Sequence, residues 1–334
     1  MLFKIKILIL LILRKLYRYY FKLFKLKKFR INYIKKNHVI LDPDKTSDLI
    51  SKIIIENKPK LITRFGRIEF SVVLNYLSLR NKKLNILKFI TGKEMENWWS
   101  FSLLSKIFNN AGFFPVIEKN IIKFCKYYLE NLRNIDVIGV YLDNPSYENY
   151  FNKQLKKSIK VNLYDLGGFH SNNSWLKSLK NKKVLVIHPF TDTIKKQYIK
   201  RDKIFKRGYL PKFKLINLQA VQSMGGETSD FKNWFDALNY MKSEMEKIDF
   251  DIALIGCGAY GYPLAAHAKK IGKIGFHIGG ELQLIFGIIG KRYENLKHFN
   301  SFPIKRKMVN KYWCRPSVKE RPTNYKRVEN GCYW

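Results

Sequence analysis

Three charged residues at the end of the first predicted strand have a spacing that suits phosphate chemistry. Arg64 and Arg67 lie on either side of Gly66, and Glu69 follows shortly after. An arginine guanidinium is a planar fork that donates paired hydrogen bonds to phosphate oxygens, and glycine lets the backbone turn sharply. Glu69 is a candidate to hold a metal ion, bind a sugar hydroxyl or accept a proton. A surface ion pair between Glu69 and an arginine is the alternative interpretation.

A glycine-rich loop is the second candidate. Gly256, Gly258 and Gly261 form a G-x-G-x-x-G pattern, with Tyr260 inside it, between a predicted strand and a predicted helix. Such a loop presents backbone N–H groups and a helix N-terminus to a phosphate. A dinucleotide site also needs an acidic residue about 20 positions further on, and Glu281 comes somewhat late for that role. A tight strand–helix turn without a ligand is therefore the alternative.

A histidine ends another predicted strand. His188 closes the run 183–188, where a histidine can act as a general base or donate a hydrogen bond to a phosphate. A lone histidine is more often structural, and that alternative stays open. Thr191 or Asp192 is expected to cap the helix that follows.

A diglycine follows the last predicted strand. Gly279 and Gly280 offer a backbone nest for an anion, and Gln283 comes directly after them. Lys291 and Arg292 add positive charge nearby. The minor candidates at other strand ends are Asp143, Gln219, Gln222 and Ser223.

Short apolar runs alternate with helical patterns along most of the chain. This alternation predicts an α/β protein with a Rossmann-like, doubly wound, mostly parallel sheet, in which ligands collect beyond the carboxyl ends of the strands. The predicted strands are 60–64, 136–141, 160–164, 183–188, 214–219, 251–255 and 273–277. The predicted helices are 47–57, 70–79, 94–109, 119–131, 193–205, 229–247, starting at Ser229 and Asp230, and 263–271.

The charge and the composition limit the range of binding partners and cellular compartments that we expect. The chain has 334 residues, of which 46% are hydrophobic, and a formal net charge of +37. Such a charge attracts nucleic acid, anionic lipid or phosphorylated substrates, although a lysine-rich solvated surface is an equal alternative. The four cysteines lack metal-type spacing and no cleavable signal peptide is evident, so we expect a reducing, cytoplasmic compartment.

The segment 1–35 differs in pattern from the rest of the chain. Four basic residues fall on one helical stripe, namely Lys15, Arg18, Lys22 and Lys25, and the opposite stripe is apolar and aromatic, with Leu13, Leu16, Tyr17, Tyr20 and Phe24. A basic amphipathic helix predicts peripheral contact with an anionic membrane through residues 1–30, on the cytoplasmic face of the inner membrane. A helix docked on the domain and a nucleic-acid arm are the alternatives. An α/β catalytic domain is predicted at 36–304, with halves at 36–150 and 180–304, and an extended strap at 305–334.

Three blocks of the sequence together resemble a known group of proteins. They are 253–267 (Ala-Leu-Ile-Gly-Cys-Gly-Ala-Tyr-Gly-Tyr-Pro-Leu-Ala-Ala-His), 277–292, which begins His-Ile-Gly-Gly-Glu-Leu-Gln, and the ending 331–334 (Gly-Cys-Tyr-Trp). These blocks resemble uncharacterised bacterial GT-D-fold proteins that are often associated with surface-polysaccharide synthesis. The stretch 64–69 resembles the strand-end motif of GT-D glycosyltransferases. The resemblance covers residues 58–334.

The resemblance implies a glycosyltransferase that moves a sugar from a nucleoside-diphosphate sugar to a glycan or lipid-linked acceptor. The Asp-x-Glu triplet of the characterised enzymes corresponds here to Arg67-Ile68-Glu69, so only Glu69 is kept. Dependence on Mn²⁺ or Mg²⁺ is therefore open, and Arg67 is expected to neutralise the leaving diphosphate instead. No specific nucleic acid is expected. An NAD(P)- or other dinucleotide-binding enzyme and a non-enzymatic basic protein on membrane or nucleic acid are the alternatives.

Overall fold

Seven strands form one all-parallel sheet in the computed structural model, which describes residues 2–24, 38–80, 83–142, 151–205, 208–227, 229–293 and 308–334. Each lies where the sequence predicts a strand. They are β1 (Lys60–Arg64), β2 (Val137–Val140), β3 (Ile159–Asn162), β4 (Lys183–His188), β5 (Lys214–Gln219), β6 (Ile252–Ile255) and β7 (Ile274–His277). The described chain is thus an α/β protein, consistent with a Rossmann-like doubly wound fold.

The order of the strands places two distant parts of the chain side by side. The sheet runs β3-β2-β1-β7-β6-β4-β5, so the chain builds outward from β1 to β3 and then returns to the other side of β1. β1 pairs with β7 in the register Lys60 to Ile274 and Ile62 to Phe276. Such a reversal of strand order opens a crevice at the carboxyl ends of the strands, which is where ligands bind in open parallel sheets.

Eleven α-helices lie within the described residues. They are α1 (Leu2–Leu23), α2 (Pro43–Glu56), α3 (Arg67–Ser78), α4 (Ile86–Ile90), α5 (Phe101–Ala111), α6 (Glu118–Glu130), α7 (Thr191–Ile199), α8 (Arg201–Ile204), α9 (Trp234–Glu246), α10 (Gly261–Lys270) and α11 (Leu282–Ile285). None of them combines the length and the apolar content needed to cross a bilayer.

The sheet is covered on both faces because neighbouring strand residues enter opposite apolar layers. In β1, Leu61 joins one layer and Ile62 the other, and both side chains are fully buried. The first layer takes its helical residues from α3, α5, α6, α9 and α10, and the second from α2, α7, α8 and α11. Burial on both faces explains why the strands have continuous apolar runs rather than alternating patterns.

Two of the predicted helices, 94–109 and 229–247, were predicted to start several residues too early, for identifiable reasons. The helix predicted from residue 94 begins only at Phe101, because the buried Asn75 amide holds the preceding segment. Its Nδ2 donates to Glu96 O (3.1 Å) and Trp98 O (2.9 Å), and its Oδ1 accepts from Ser100 N (3.0 Å). In α9, the N-cap is Asn233, which accepts from two backbone N–H groups, rather than Ser229 or Asp230. In both cases the amide satisfies backbone groups that a longer helix would otherwise bond.

A residue distant in sequence caps α7. The Glu320 carboxylate accepts from the Asp192 N–H (2.9 Å) and the Thr193 N–H (3.1 Å), and neither Thr191 nor Asp192 makes the expected side-chain cap. The segment 308–334 also bonds the body through Cys314, whose backbone contacts Gly287 O (3.1 Å) and Ile289 N (2.8 Å). This segment is therefore held against the carboxyl edge of the sheet.

Candidate functional site

A cavity of about 450 Å³ opens at the carboxyl edge of the sheet. Small-molecule sites typically have roughly 300–1,000 Å³, so the space suits a ligand of nucleotide size. Its walls come from residues at or after the ends of all seven strands, from Asn110 in α5 and from the segment 308–334. The predicted site residues that line it are Arg64, Gly66, Arg67, Glu69, His188, Gly256, Gly258, Gly279, Gly280, Gln283 and Arg292. Tyr260, Gly261 and Lys291 are not among the lining residues.

Arg64 is a cation held in place at the wall of the cavity. Its Nη2 donates to the hydroxyl of Tyr141, which follows β2, and to Phe65 O (3.3 Å), while its Nε has no hydrogen-bond partner among the described residues. Burial alone would lower its pKa, but Tyr141 and Glu281 outweigh burial and raise the pKa above the usual arginine value. Arg64 therefore stays charged at the wall of the cavity.

Arg67 lies beside it on the first turn of α3. Its guanidinium stands over the Tyr141 ring at 4.3 Å from the ring centroid, and its side chain is exposed to solvent. Tyr141 thus contacts both arginines through different parts of the same side chain. This tyrosine was not among the predicted site residues, although its position directly after β2 is a signal that could have found it.

Glu69 lies at the first turn of α3 with its carboxyl group buried. Its side chain is 8% exposed, and a Cβ at Gly66 would clash with the Glu69 carboxyl group. Burial raises the pKa of Glu69, although a bond from its own backbone N–H and the charge of Arg64 act in the opposite direction. A buried carboxyl group with a raised pKa is a better proton acceptor near neutral pH than an ordinary surface glutamate. It also stabilises the N-terminus of its own helix, so the structural and chemical roles coexist.

His188 is fixed in a single tautomer by the turn that follows β4. Its Nδ1 accepts a hydrogen bond from the Phe190 N–H (3.0 Å), so a neutral His188 carries its proton on Nε2. Burial lowers the pKa of His188 to about 3. The neutral ring is therefore a hydrogen-bond donor through Nε2 at physiological pH. Of the two predicted roles, this geometry favours donation to a phosphate over proton abstraction.

A second buried histidine lines the cavity at the end of β7. His277 lies with its Nδ1 3.4 Å from Thr63 Oγ1, and burial lowers its pKa to about 3, with Arg64 acting in the same direction. The sequence analysis did not single out this residue. Its position at the carboxyl end of a predicted strand, like that of His188, is the signal that could have found it.

The diglycine after β7 brings the backbone close to Arg64. Gly279 has φ = +74°, which favours glycine, and a Cβ there would lie 3.2 Å from Arg64 Nη1. A Cβ at Gly280 would lie 2.6 Å from the Tyr333 ring. The two glycines therefore leave room for the arginine and the tyrosine at the cavity wall.

Gln283 adds an acceptor of fixed orientation. It is fully buried, and its Nε2 donates to Ile288 O (3.2 Å) and Tyr333 O (3.4 Å). Its Oε1 is buried without a hydrogen-bond partner among the described residues. Buried polar atoms are normally paired, so this oxygen is an exception within the described residues.

The glycine-rich loop after β6 serves mainly to bring backbones together. A Cβ at Gly256 would lie 2.7 Å from Gly279 O, and a Cβ at Gly258, which has φ = +57°, would lie 2.9 Å from Ala111 O. Gly261 packs against the His277 ring. Tyr260 is buried and stacks on Trp234 with ring centroids 5.1 Å apart. Only the first half of the loop reaches the cavity, which favours the tight-turn interpretation for the second half.

The C-terminal segment closes one side of the cavity. Arg292 forms an ion pair with Glu329 and lies over the Tyr333 ring at 4.7 Å. Lys291 is exposed, and its Nζ contacts Asn330 O at 3.5 Å. Glu329, Tyr333 and Trp334 were not predicted to belong to the site. A local sequence pattern cannot show that residues near position 330 contact the ends of strands much earlier in the chain.

Three of the minor candidates, Gln219, Gln222 and Ser223, are described by the structure and do not line the cavity. Asp143 lies outside the described residues. Gln219 donates to Pro189 O (2.9 Å), and Ser223 donates to Gly112 O (2.7 Å). Gln222 accepts from the Met224 N–H (3.3 Å). The contacts of the last three shape turns at neighbouring strand ends.

The cavity carboxylates do not form a metal-binding set. Within the described ranges, no group of three or more His, Cys, Asp or Glu side chains is arranged to hold a metal ion. Glu69 lies in the field of Arg64, and Glu329 is paired with Arg292. Cations interspersed with carboxylates in this way do not fit a resident divalent ion at Glu69.

Fold and cavity together define a class: an α/β protein with an all-parallel sheet and, at the reversal of its strand order, a cavity whose lining includes several charged side chains. Comparison of the chain with protein-family models, with curated proteins and with solved structures finds no significant match. A more specific function must therefore be argued from the residues of the cavity.

Proposed function

We propose that this chain is a GT-D-like glycosyltransferase that takes its sugar from a nucleoside diphosphate. The observation that carries the proposal is the convergence of Arg64, Glu69, His188 and the 279–280 diglycine on one cavity. This set combines fixed hydrogen-bond donors for a diphosphate with a buried carboxyl group suited to activating a hydroxyl. Surface-polysaccharide synthesis is the role that the sequence resemblance implies for such an activity.

In the proposed reaction, donors fixed in advance stabilise the departing diphosphate. The bond between the anomeric carbon and the diphosphate oxygen breaks, and the electron pair leaves with the nucleoside diphosphate. Arg64, held by Tyr141, and Nε2–H of His188 would donate to the phosphate oxygens, with Arg67 adding charge from the rim. Such donors lower the barrier because they need no reorganisation as charge develops.

The acceptor hydroxyl forms the new bond to the anomeric carbon. In a direct displacement with inversion, Glu69 would take the hydroxyl proton, because its burial favours the protonated form after transfer. His188 is not assigned this role, since its Nδ1 is already bonded and its Nε2 carries the proton. The acceptor is a glycan or a lipid-linked glycan in this proposal.

Mn²⁺ or Mg²⁺ is a possible cofactor that the resemblance leaves open, and the arginines make a metal-free reaction the expected one. Turnover should persist in excess EDTA and rise less than about twofold on adding Mn²⁺, because Arg67 stands in place of a metal-binding carboxylate. The variant Arg67→Asp has the carboxylate that the GT-D enzymes have at this position. We expect it to turn over more slowly than the wild type and to recover part of that loss when Mn²⁺ is added. Assays with and without EDTA check this. Complete loss of wild-type turnover in EDTA would contradict the arginine assignment.

Screening nucleotides by thermal shift tests the proposed donor class. UDP-, GDP- and dTDP-sugars should include one that raises the melting temperature, because a ligand that binds only the folded state stabilises it by mass action. NADH should leave the temperature unchanged, since the second half of the glycine loop packs in the core. A shift with NADH alone favours a dinucleotide enzyme. Affinity for heparin or RNA alone, with a steep salt dependence, favours a non-enzymatic basic protein.

A further inference from the structure

The helix α1 has three distinct faces, and only one of them docks on the body. Ile7, Leu10, Arg14, Tyr17 and Phe21 recur at spacings of three and four and are the less exposed residues of the helix. Arg14 forms an ion pair with Glu96 (3.2 Å), and its guanidinium lies over the Phe89 ring at 4.5 Å. We call this the docking face. It fixes the rotation of α1 about its own axis.

The second face is apolar and turned to solvent. At about 100° per residue, Ile5, Ile9, Ile12, Leu16 and Leu23 fall within one sector of the helix. Their side chains are 44%, 52%, 48%, 59% and 63% exposed. Tyr19 and Tyr20 border the same sector and are 66% and 51% exposed. Three more leucines of α1 are exposed outside this sector, namely Leu8, Leu11 and Leu13. The exposed apolar surface is therefore wider than the stripe alone, and an apolar area of this extent indicates an interaction surface.

The third face is basic and lies between the other two. Lys15, Arg18 and Lys22 are exposed on it, and the whole helix contains no acidic residue. Lys25, which was predicted on the same stripe, lies outside the described residues. Cations beside an apolar stripe match an anionic lipid surface, where the apolar side chains enter the acyl boundary and the cations reach the headgroups. A second copy of α1 is a poor partner, because packing two apolar stripes together brings two uncompensated basic faces close.

We propose that α1 binds in the interfacial plane of an anionic bilayer, with the stripe Ile5–Ile9–Ile12–Leu16–Leu23 in the membrane. The docking face then holds the α/β body directly above the surface. A helix of 22 residues is about 33 Å long, which lets the whole stripe contact lipid at once. This goes beyond the proposed transfer reaction and depends only on the geometry of α1.

Vesicle flotation of the full chain tests the membrane surface. The wild type should float with vesicles of phosphatidylglycerol and phosphatidylcholine, and much less with phosphatidylcholine alone. Ile9→Glu/Leu16→Glu should reduce the partition coefficient about tenfold or more, because two apolar side chains leave the lipid. The matched control Ile55→Glu/Ile199→Glu adds the same charge at exposed apolar positions on α2 and α7, and should bind like the wild type.

The basic face is tested separately. Lys15→Ala/Arg18→Ala/Lys22→Ala should weaken binding to anionic vesicles by about fivefold for each cation removed and should flatten its dependence on salt. Full flotation of Ile9→Glu/Leu16→Glu would overturn the proposal. The proposal would also be overturned if the wild-type chain did not bind vesicles but formed oligomers, and if the same two substitutions caused those oligomers to dissociate. Nucleotide binding, measured without lipid, should be unchanged in all these variants, so failure here leaves the transferase proposal standing.

Discussion

Arg64→Met is expected to weaken the binding of a nucleoside diphosphate by about 100-fold, which corresponds to roughly 3 kcal/mol. Methionine keeps most of the side-chain volume but removes the charge and every donor. The hydroxyl of Tyr141 holds the Arg64 guanidinium at the cavity wall. Calorimetric titration with the nucleoside diphosphate that the thermal-shift screen selects would measure the loss.

Two further variants separate the guanidinium from charge in general. Arg64→Lys keeps the charge but not the fork, so its affinity should fall between those of the wild type and Arg64→Met. Arg133→Met removes an exposed arginine of the segment Leu132–Asn134, away from the cavity lining, and should bind like the wild type. If a folded Arg64→Met variant bound the nucleoside diphosphate as tightly as the wild type, the diphosphate would not bind at this part of the cavity.

Glu69→Gln is expected to lower turnover by about 10²- to 10⁴-fold, the usual contribution of a general base. The amide has nearly the same shape but cannot accept the proton of the acceptor hydroxyl. Because burial raises the pKa of Glu69, the wild-type rate should climb as pH rises through that pKa, and this limb should disappear in the variant. Rates across the pH range, at saturating donor, check the prediction.

Stability separates this chemical role from a structural one. A carboxyl group whose pKa is raised by folding favours the folded state below its unfolded pKa, and this contribution is lost as pH rises through the folded value. Glu69→Gln should therefore be at least as stable as the wild type at neutral pH, by urea unfolding. Glu118→Gln, which changes an acidic residue in the first turn of α6, controls for loss of a charge at a helix N-terminus. Normal turnover in Glu69→Gln would exclude Glu69 as the base.

The strands were predictable because a strand that is buried on both faces has a continuous run of apolar residues in the sequence. β1, β4 and β5 have the predicted bounds, and the other strands differ by one or two residues at an end. Helix starts were less predictable, since a side chain far along the chain can decide them. Asn75 holds the segment before α5, and Glu320 caps α7 from a distance of 128 residues. Neither contact has a sequence pattern.

The cavity was predictable to the extent that it consists of strand ends. The carboxyl ends of parallel strands all lie at one edge of the sheet. Arg64, His188 and Gly279 could therefore be predicted to lie near one another before the strand order was known. The part of the cavity wall formed by Glu329, Tyr333 and Trp334 could not be predicted, because it depends on how the segment 308–334 packs against the carboxyl ends of the strands. The tautomer of His188 was also beyond the sequence, since the Phe190 N–H that fixes it is a feature of backbone geometry.

A crystal structure of the protein with the nucleoside diphosphate selected by the screen tests the central claim most directly. We expect phosphate oxygens within hydrogen-bond distance of the Arg64 guanidinium and of Nε2 of His188, beside the 279–280 diglycine. We also expect Glu69 to face the open space where an acceptor hydroxyl would stand. A nucleotide bound elsewhere on the surface, with this cavity filled only by solvent, would contradict the account.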